Sequence, residues 1–212
     1  MEMDYSNALG IEHRAVKDAE YKDQPVRIVS GSRIYSAEIE ELWDAVTNSE
    51  RIPRWFAPIT GELKLGGRYQ LEGNAGGDIT CCDPPRALDV TWECGNVSWV
   101  TVRLESVTGG TRLTLEHLMR KDEASEAHWK KYGPAATGVG WELGFLGLGL
   151  YLESGEAVLE SEIMASSDGK AFIENCARSW SDAHIRSGED AATASVMAAE
   201  TAAFYCGGEH EN

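Results

Sequence analysis

The sequence predicts an α+β fold in which a curved antiparallel sheet is wrapped around one long C-terminal helix. Three observations predict it. An alternating β-branched run is followed at once by a run with helical spacing. Six strand-like runs then lie between Ile59 and Met119, separated by short glycine or proline turns. The most apolar stretch of the chain, VGWELGFLGLGLYLESG from Val139 to Gly155, comes after them.

Val26 to Tyr35 (VRIVSGSRIY) alternates and reads as the first strand. Ile39, Leu42, Trp43 and Val46 then recur at helical spacing, with Glu38, Glu40 and Glu41 crowding the turn where the helix dipole favours anions. This predicts a helix from about Ala37 to Thr47 with Ser36 as its cap. A short second turn starts at Asn48 or Ser49, and Pro53 ends it just before Trp55.

The six strand-like runs are TGELKL, RYQLEG, DITCC, ALDVTWEC, VSWVTVRLES and TRLTLEHLM. Gly66-Gly67, Gly73 to Gly77, Pro84-Pro85, Gly95-Asn96 and Gly109-Gly110 punctuate them, so consecutive runs are antiparallel neighbours in a meander. Val100, Val102 and Leu104 share one face, as do Leu113, Leu115 and His117, which predicts one buried side of the sheet.

Lys130, Lys131, Gly133 and Pro134 read as a linker into the long helix. On that helix Trp141, Phe145, Leu148 and Leu152 form one apolar stripe and Leu143, Leu146 and Leu150 another, with Gly140, Gly144 and Gly147 on one side between them. A helix apolar on two stripes needs cover on two sides, and a sheet supplies one. Two further helices, Asp168 to Ser187 and Asp190 to Tyr205, read as an appended C-terminal helical hairpin. Its Phe172, Ile173, Trp180 and Phe204 are the expected second cover, within the chain or exchanged with a second subunit in a homodimer. The chain thus divides into a polar N-terminal extension (1–25), a main domain (26–155) and a helical extension (156–212).

A formal charge of -16 argues against nucleic acid as a partner. The first residues, MEMDYSNALG, lack a signal-peptide pattern, and no apolar run reaches the ~20 residues of a membrane span, so the expected location is cytoplasmic. Five cysteines without a CxxC pair predict reduced thiols, no disulfide and no metal. The GNAGG stretch is followed by no Gly-Lys-Ser/Thr and opens no helix, so it is a hairpin turn and not a phosphate cradle. No GxSxG elbow occurs, and no cofactor motif was found.

The succession of the LWDAVT helix, the Arg-Trp-Phe turn, L-GG-Y, DPP-L-TW, the GGT-L-L-H strand and the GW helix resembles the SRPBCC (START-like) superfamily. Within it the chain is most similar to the homologues of the activator of the heat-shock protein 90 ATPase, over roughly Val26 to Glu153. The resemblance implies a helix-grip fold with a cavity between sheet and helix. In that fold Trp55 and Phe56 would form the cavity's lip or plug, or else cap the core. Tyr69, Trp92 and His117, on interior-facing strand parities, and Trp141 and Phe145, on one stripe of the long helix, are the other ligand-binding candidates. The leading expectation is a binding module for an apolar small molecule or lipid-like ligand. One alternative is an enzyme, of cyclase or hydrolase type, using His117 as acid–base and Tyr69 as donor. The other is a co-chaperone acting on a chaperone ATPase.

Overall fold

One antiparallel sheet organises the computed structural model, which describes residues 11–207. The ten residues read for a signal peptide lie outside the described residues. The strands are β1 (Ile11–Tyr21), β2 (Gln24–Tyr35), β3 (Ile59–Gly61), β4 (Arg68–Leu71), β5 (Gly76–Asp83), β6 (Ala87–Cys94), β7 (Asn96–Val107) and β8 (Gly110–Arg120). They lie side by side in the order β1-β2-β8-β7-β6-β5-β4-β3, so the expected meander runs from β3 to β8 and closes onto β2. The chain reaches β3 from β2 by way of the helix α1 (Ile39–Thr47), passing from the second strand at one side of the sheet to the opposite edge.

The stretch before Val26 is not simply a polar extension, because β1 pairs along nearly the whole of β2. Lys22 and Asp23 join the two strands, both with positive φ, the backbone of a two-residue hairpin turn. Neither residue is glycine or asparagine, so the usual hairpin signal is missing. α1 starts two residues later than expected: Glu38 occupies the cap position without a side-chain hydrogen bond, and Ser36 is exposed.

The linker around Lys130 is in fact the end of a helix, α2 (Glu123–Tyr132), capped by Asp122, whose carboxylate accepts from the Ser125 amide. The long helix α3 (Ala135–Ser154) follows at once. Beyond it come α4 (Glu160–Ala165), α5 (Ser167–Arg186) and α6 (Ala191–Tyr205). No helix among the described residues is long and apolar enough to cross a membrane.

Two separate apolar clusters meet on the two sides of α3. Phe145, Leu148 and Tyr151 join the sheet cluster with Leu42, Tyr69, Val100 and Leu115. Val139, Leu143 and Leu146 join the other, with Phe172, Ile173, Cys176 and Trp180. The second cover is therefore the chain's own α5, as the two-stripe pattern requires. Phe204 is the exception: it is 46% exposed, with its ring beside those of Tyr132 and Tyr205. Tyr205 takes the place expected of it, donating its hydroxyl to the Ala136 carbonyl at 2.9 Å and resting against Gly140.

Candidate functional site

The connection from Asn48 to Ala57 is held by Arg51. Its guanidinium donates to Asp44 Oδ2 at 2.9 Å and Glu41 Oε1 at 2.6 Å on α1, and to the Tyr151 hydroxyl at 3.0 Å on α3. A single turn of 3-10 helix, Ile52–Arg54, then delivers Trp55 and Phe56 onto α3.

Both aromatics have specific work in this position. The Trp55 indole N–H donates to the Ala45 carbonyl at 2.9 Å, which satisfies an acceptor in the last turn of α1 that the helix itself cannot serve. Phe56 stacks between Trp55 and Trp141, with ring centroids 5.5 and 6.1 Å away. Glycines on α3 permit this approach: a Cβ at Gly147 would lie 2.6 Å from the Trp55 carbonyl oxygen, and one at Gly144 would touch the Phe56 ring at 3.5 Å.

Beneath the two rings lies a cavity of about 140 Å³. Trp141, Phe145 and Leu148 of α3 form its roof, and the inner face of β4 to β8 forms its floor through residues such as Leu71, Val90, Val100 and Leu115. Tyr69 and Trp92 complete the wall at one end. Six of the seven expected site residues, Trp55, Phe56, Tyr69, Trp92, Trp141 and Phe145, border this one space.

His117 does not. It sits behind Trp92 and Trp141, 8% exposed, and borders a different cleft. Trp141 Nε1–H donates to His117 Nδ1 at 3.1 Å, so the neutral ring carries its proton on Nε2 and gives it to Ser98 Oγ at 2.9 Å. Ser98 in turn donates to the Trp92 carbonyl at 2.9 Å. Both ring nitrogens are thus committed, and burial pulls the pKa of His117 down to about 4.

The expected acid–base pair of His117 and Tyr69 is not assembled. Trp92 lies between them, with centroids 6.5 Å from Tyr69 and 6.1 Å from His117. The Tyr69 hydroxyl donates to the Thr91 carbonyl at 2.8 Å, and burial pushes the phenol up from its ordinary range. Neither proton faces the cavity.

The sign of the His117 contribution follows from its depressed pKa. Between about pH 6.5 and 4 the unfolded chain binds a proton that the folded ring refuses, so stability rises with pH through this window and falls by roughly 3 kcal/mol on acidification. His117→Leu should flatten that dependence. At neutral pH it should cost about 1 to 3 kcal/mol, because Trp141 Nε1–H and Ser98 lose their partner. Urea unfolding at pH 4.5 and pH 7 checks both. An equally steep pH dependence in the variant would remove His117 as its source.

Sequence reasoning missed Glu142, Arg51 and α2. Glu142 is read on an apolar helix, yet it is 2% exposed and receives two hydrogen bonds from Arg14 of β1, at 2.7 and 2.8 Å. A lone acidic residue between two apolar stripes was the available signal.

Residues 36–153 match the family described as Activator of Hsp90 ATPase homolog 1-like protein. CalU16 from Micromonospora echinospora is 32% identical in its crystal structure, with 75% of this chain and 94% of that chain covered and a TM-score of 0.58. Its solution structure gives 28% identity, 83% and 96% coverage and a TM-score of 0.68. MLL2253 from Mesorhizobium loti, at 22% identity, 60% and 97% coverage and a TM-score of 0.52, shares the fold. No curated protein matches the chain. With the sheet gripping α3, the aromatic turn at its mouth and more than half of the sequence matched, this chain belongs to the Activator of Hsp90 ATPase homolog 1-like family, within the SRPBCC superfamily.

Proposed function

We propose that the protein binds a small apolar molecule in the cavity between the sheet and α3. The observation that carries this reading is the cavity itself: about 140 Å³ lined almost wholly by aliphatic and aromatic side chains. Space of this kind stays dry when empty, and a cavity of roughly 150 Å³ is enough for a benzene-sized ring. A drug-sized ligand needs roughly 300 Å³ or more. The apolar part of the ligand is accordingly one ring or a short branched chain, unless Trp55 and Phe56 lift away. Their contacts favour such movement over that of the sheet, since both are only half-buried and sit on a connection.

Titration with an apolar fluorophore, displaced by toluene and followed by native mass spectrometry, tests the reading. Trp55→Ala should weaken saturable binding severalfold. It should cost less than the ~3 to 5 kcal/mol of a fully buried tryptophan, because the indole is partly exposed. Absence of displaceable binding would sink the proposal. Unchanged affinity with a large fall in melting temperature would make Trp55 a core residue only.

A further inference from the structure

A second space, of about 330 Å³, opens beyond the apolar cavity. Trp92 borders both, while Trp141 faces the first and His117 the second. The grip between sheet and helices is thus divided by one aromatic partition, held by the bond from Trp141 to His117. Its two sides differ in chemistry. The cleft is lined by Asn96, Ser98, Ser125, His128 and Thr137 together with the rings of Trp92 and Trp129.

Its charge is closed off. Arg27, which enters the cleft, is stacked over Trp129 at 4.5 Å and bonded through two nitrogens to Glu126, at 2.6 and 3.3 Å. Arg120 also borders the cleft, and its buried Nε has no hydrogen-bond partner, but its guanidinium lies 5.2 Å over Trp99, which packs with Val26, Ile28 and Leu118 on the strand parity opposite to His117 and Met119. The guanidinium is thus directed toward the other face of the sheet. No carboxylate borders the cleft among the described residues. His128 at the rim is biased toward its neutral form by partial burial.

What remains free is neutral hydrogen-bonding capacity beside aromatic faces. The side chains of Asn96 and His128 make no hydrogen bond among the described residues, and the Ser125 hydroxyl, which donates to the Asp122 carboxylate, keeps its acceptor capacity. Behind Gly133, which borders the cleft, the buried Nδ1 of His184 also lacks a hydrogen-bond partner. An unmet buried polar atom is uncommon and calls for an explanation such as a water or a ligand group.

We infer that this cleft is a second subsite, for an uncharged, oxygen-rich group such as a sugar ring or polyol, borne by the ligand whose apolar end occupies the cavity. The inference rests on the cavity reading above. A sugar presents a C–H face to an indole and hydroxyls to amide, hydroxyl and imidazole groups, which is the set this cleft offers. Trp92, half-buried and common to both spaces, is the wall past which such a ligand extends.

Phenyl β-D-glucoside and toluene are the probes, titrated calorimetrically into the full chain and into Asn96→Ala and Ser125→Ala/His128→Ala. These positions are exposed or half-buried, so folding is not at stake. The glucoside should bind about tenfold more tightly than toluene, the yield of one or two net hydrogen bonds. Each variant should lose roughly three- to tenfold for the glucoside and nothing for toluene. Toluene binding without any glucoside advantage, or an advantage indifferent to both variants, overturns the subsite and leaves the cavity reading standing. Failure of toluene to bind at all removes the cavity reading, and this inference with it.

Discussion

Arg14→Met should lower the stability of the protein by about 3 to 5 kcal/mol, more than any other single charge removal. Arg14 and Glu142 form a bidentate pair of 2.7 and 2.8 Å in which the two side chains are 13% and 2% exposed. The third member is Cys176 on α5, whose Sγ–H donates to Glu142 Oε2 at 3.0 Å. Burial and the adjacent carboxylate push the Cys176 thiol up, so it keeps its proton and serves as a donor. Removing the guanidinium leaves a carboxylate in the interior with one weak donor, and the cost is the unpaired charge rather than the lost pair. Arg14→Met with Glu142→Leu should consequently recover much of the loss, because a well-packed apolar pair replaces a buried ion pair at little net cost. Chemical denaturation of the two single variants and the double variant gives the coupling. Additive losses would show that Arg14 and Glu142 stabilise the fold independently.

That pair also marks the limit of what periodicity can reveal. The helix α3, the meander and the strand β2 are legible because each buries one face repeatedly, and repetition is what a single sequence displays. The need for a second cover on α3 was legible for the same reason: Leu143, Leu146 and Leu150 have no use for a sheet already occupied by Trp141, Phe145 and Leu148. β1 is different. IEHRAVKDAEY is an edge strand rich in charge, and its hairpin turns at Lys22 and Asp23, which adopt positive φ without the glycine or asparagine that announces it. α2 was hidden by its own composition, since EASEAHWKKY buries only Trp129 and has no stripe to read.

The candidate site divides along the same line. Six of its residues lie where strand parity and the α3 stripe put them, around one cavity. Parity also placed His117 inside, correctly, but could not show that Trp92 and Trp141 stand between it and that cavity. Which interior a residue faces depends on rotamers and neighbours that no period encodes. The hydrogen-bonded chain from Trp141 through His117 and Ser98 to the Trp92 carbonyl is a property of four elements meeting, α3, β8, β7 and β6, and only their meeting makes the imidazole a fixed strut.

The largest effect is expected from removing the second cover altogether. A chain ending at Ser167 loses α5 and α6, and with them Phe172, Ile173, Cys176, Trp180 and Ala198, all buried against Val139, Leu143 and Leu146. That whole stripe of α3 then faces water as a contiguous apolar patch, and Glu142 loses the Cys176 donor. The shortened chain should self-associate and bind a hydrophobic dye, seen by size-exclusion chromatography and fluorescence. A monodisperse product as stable as the full chain would show that α3 needs no cover beyond the sheet. Within the full chain, Trp180→Ala isolates the same interface: the indole is 1% exposed and lies against Gly138, where an added Cβ would come within 2.1 Å of the ring. Its loss should cost about 3 to 5 kcal/mol by leaving a cavity. Trp180→Phe should cost clearly less, because the indole Nε1 has no hydrogen-bond partner to forfeit. If phenylalanine proved as damaging as alanine, the ring's outline against Gly138, rather than the apolar area it buries, would be what secures the hairpin to α3.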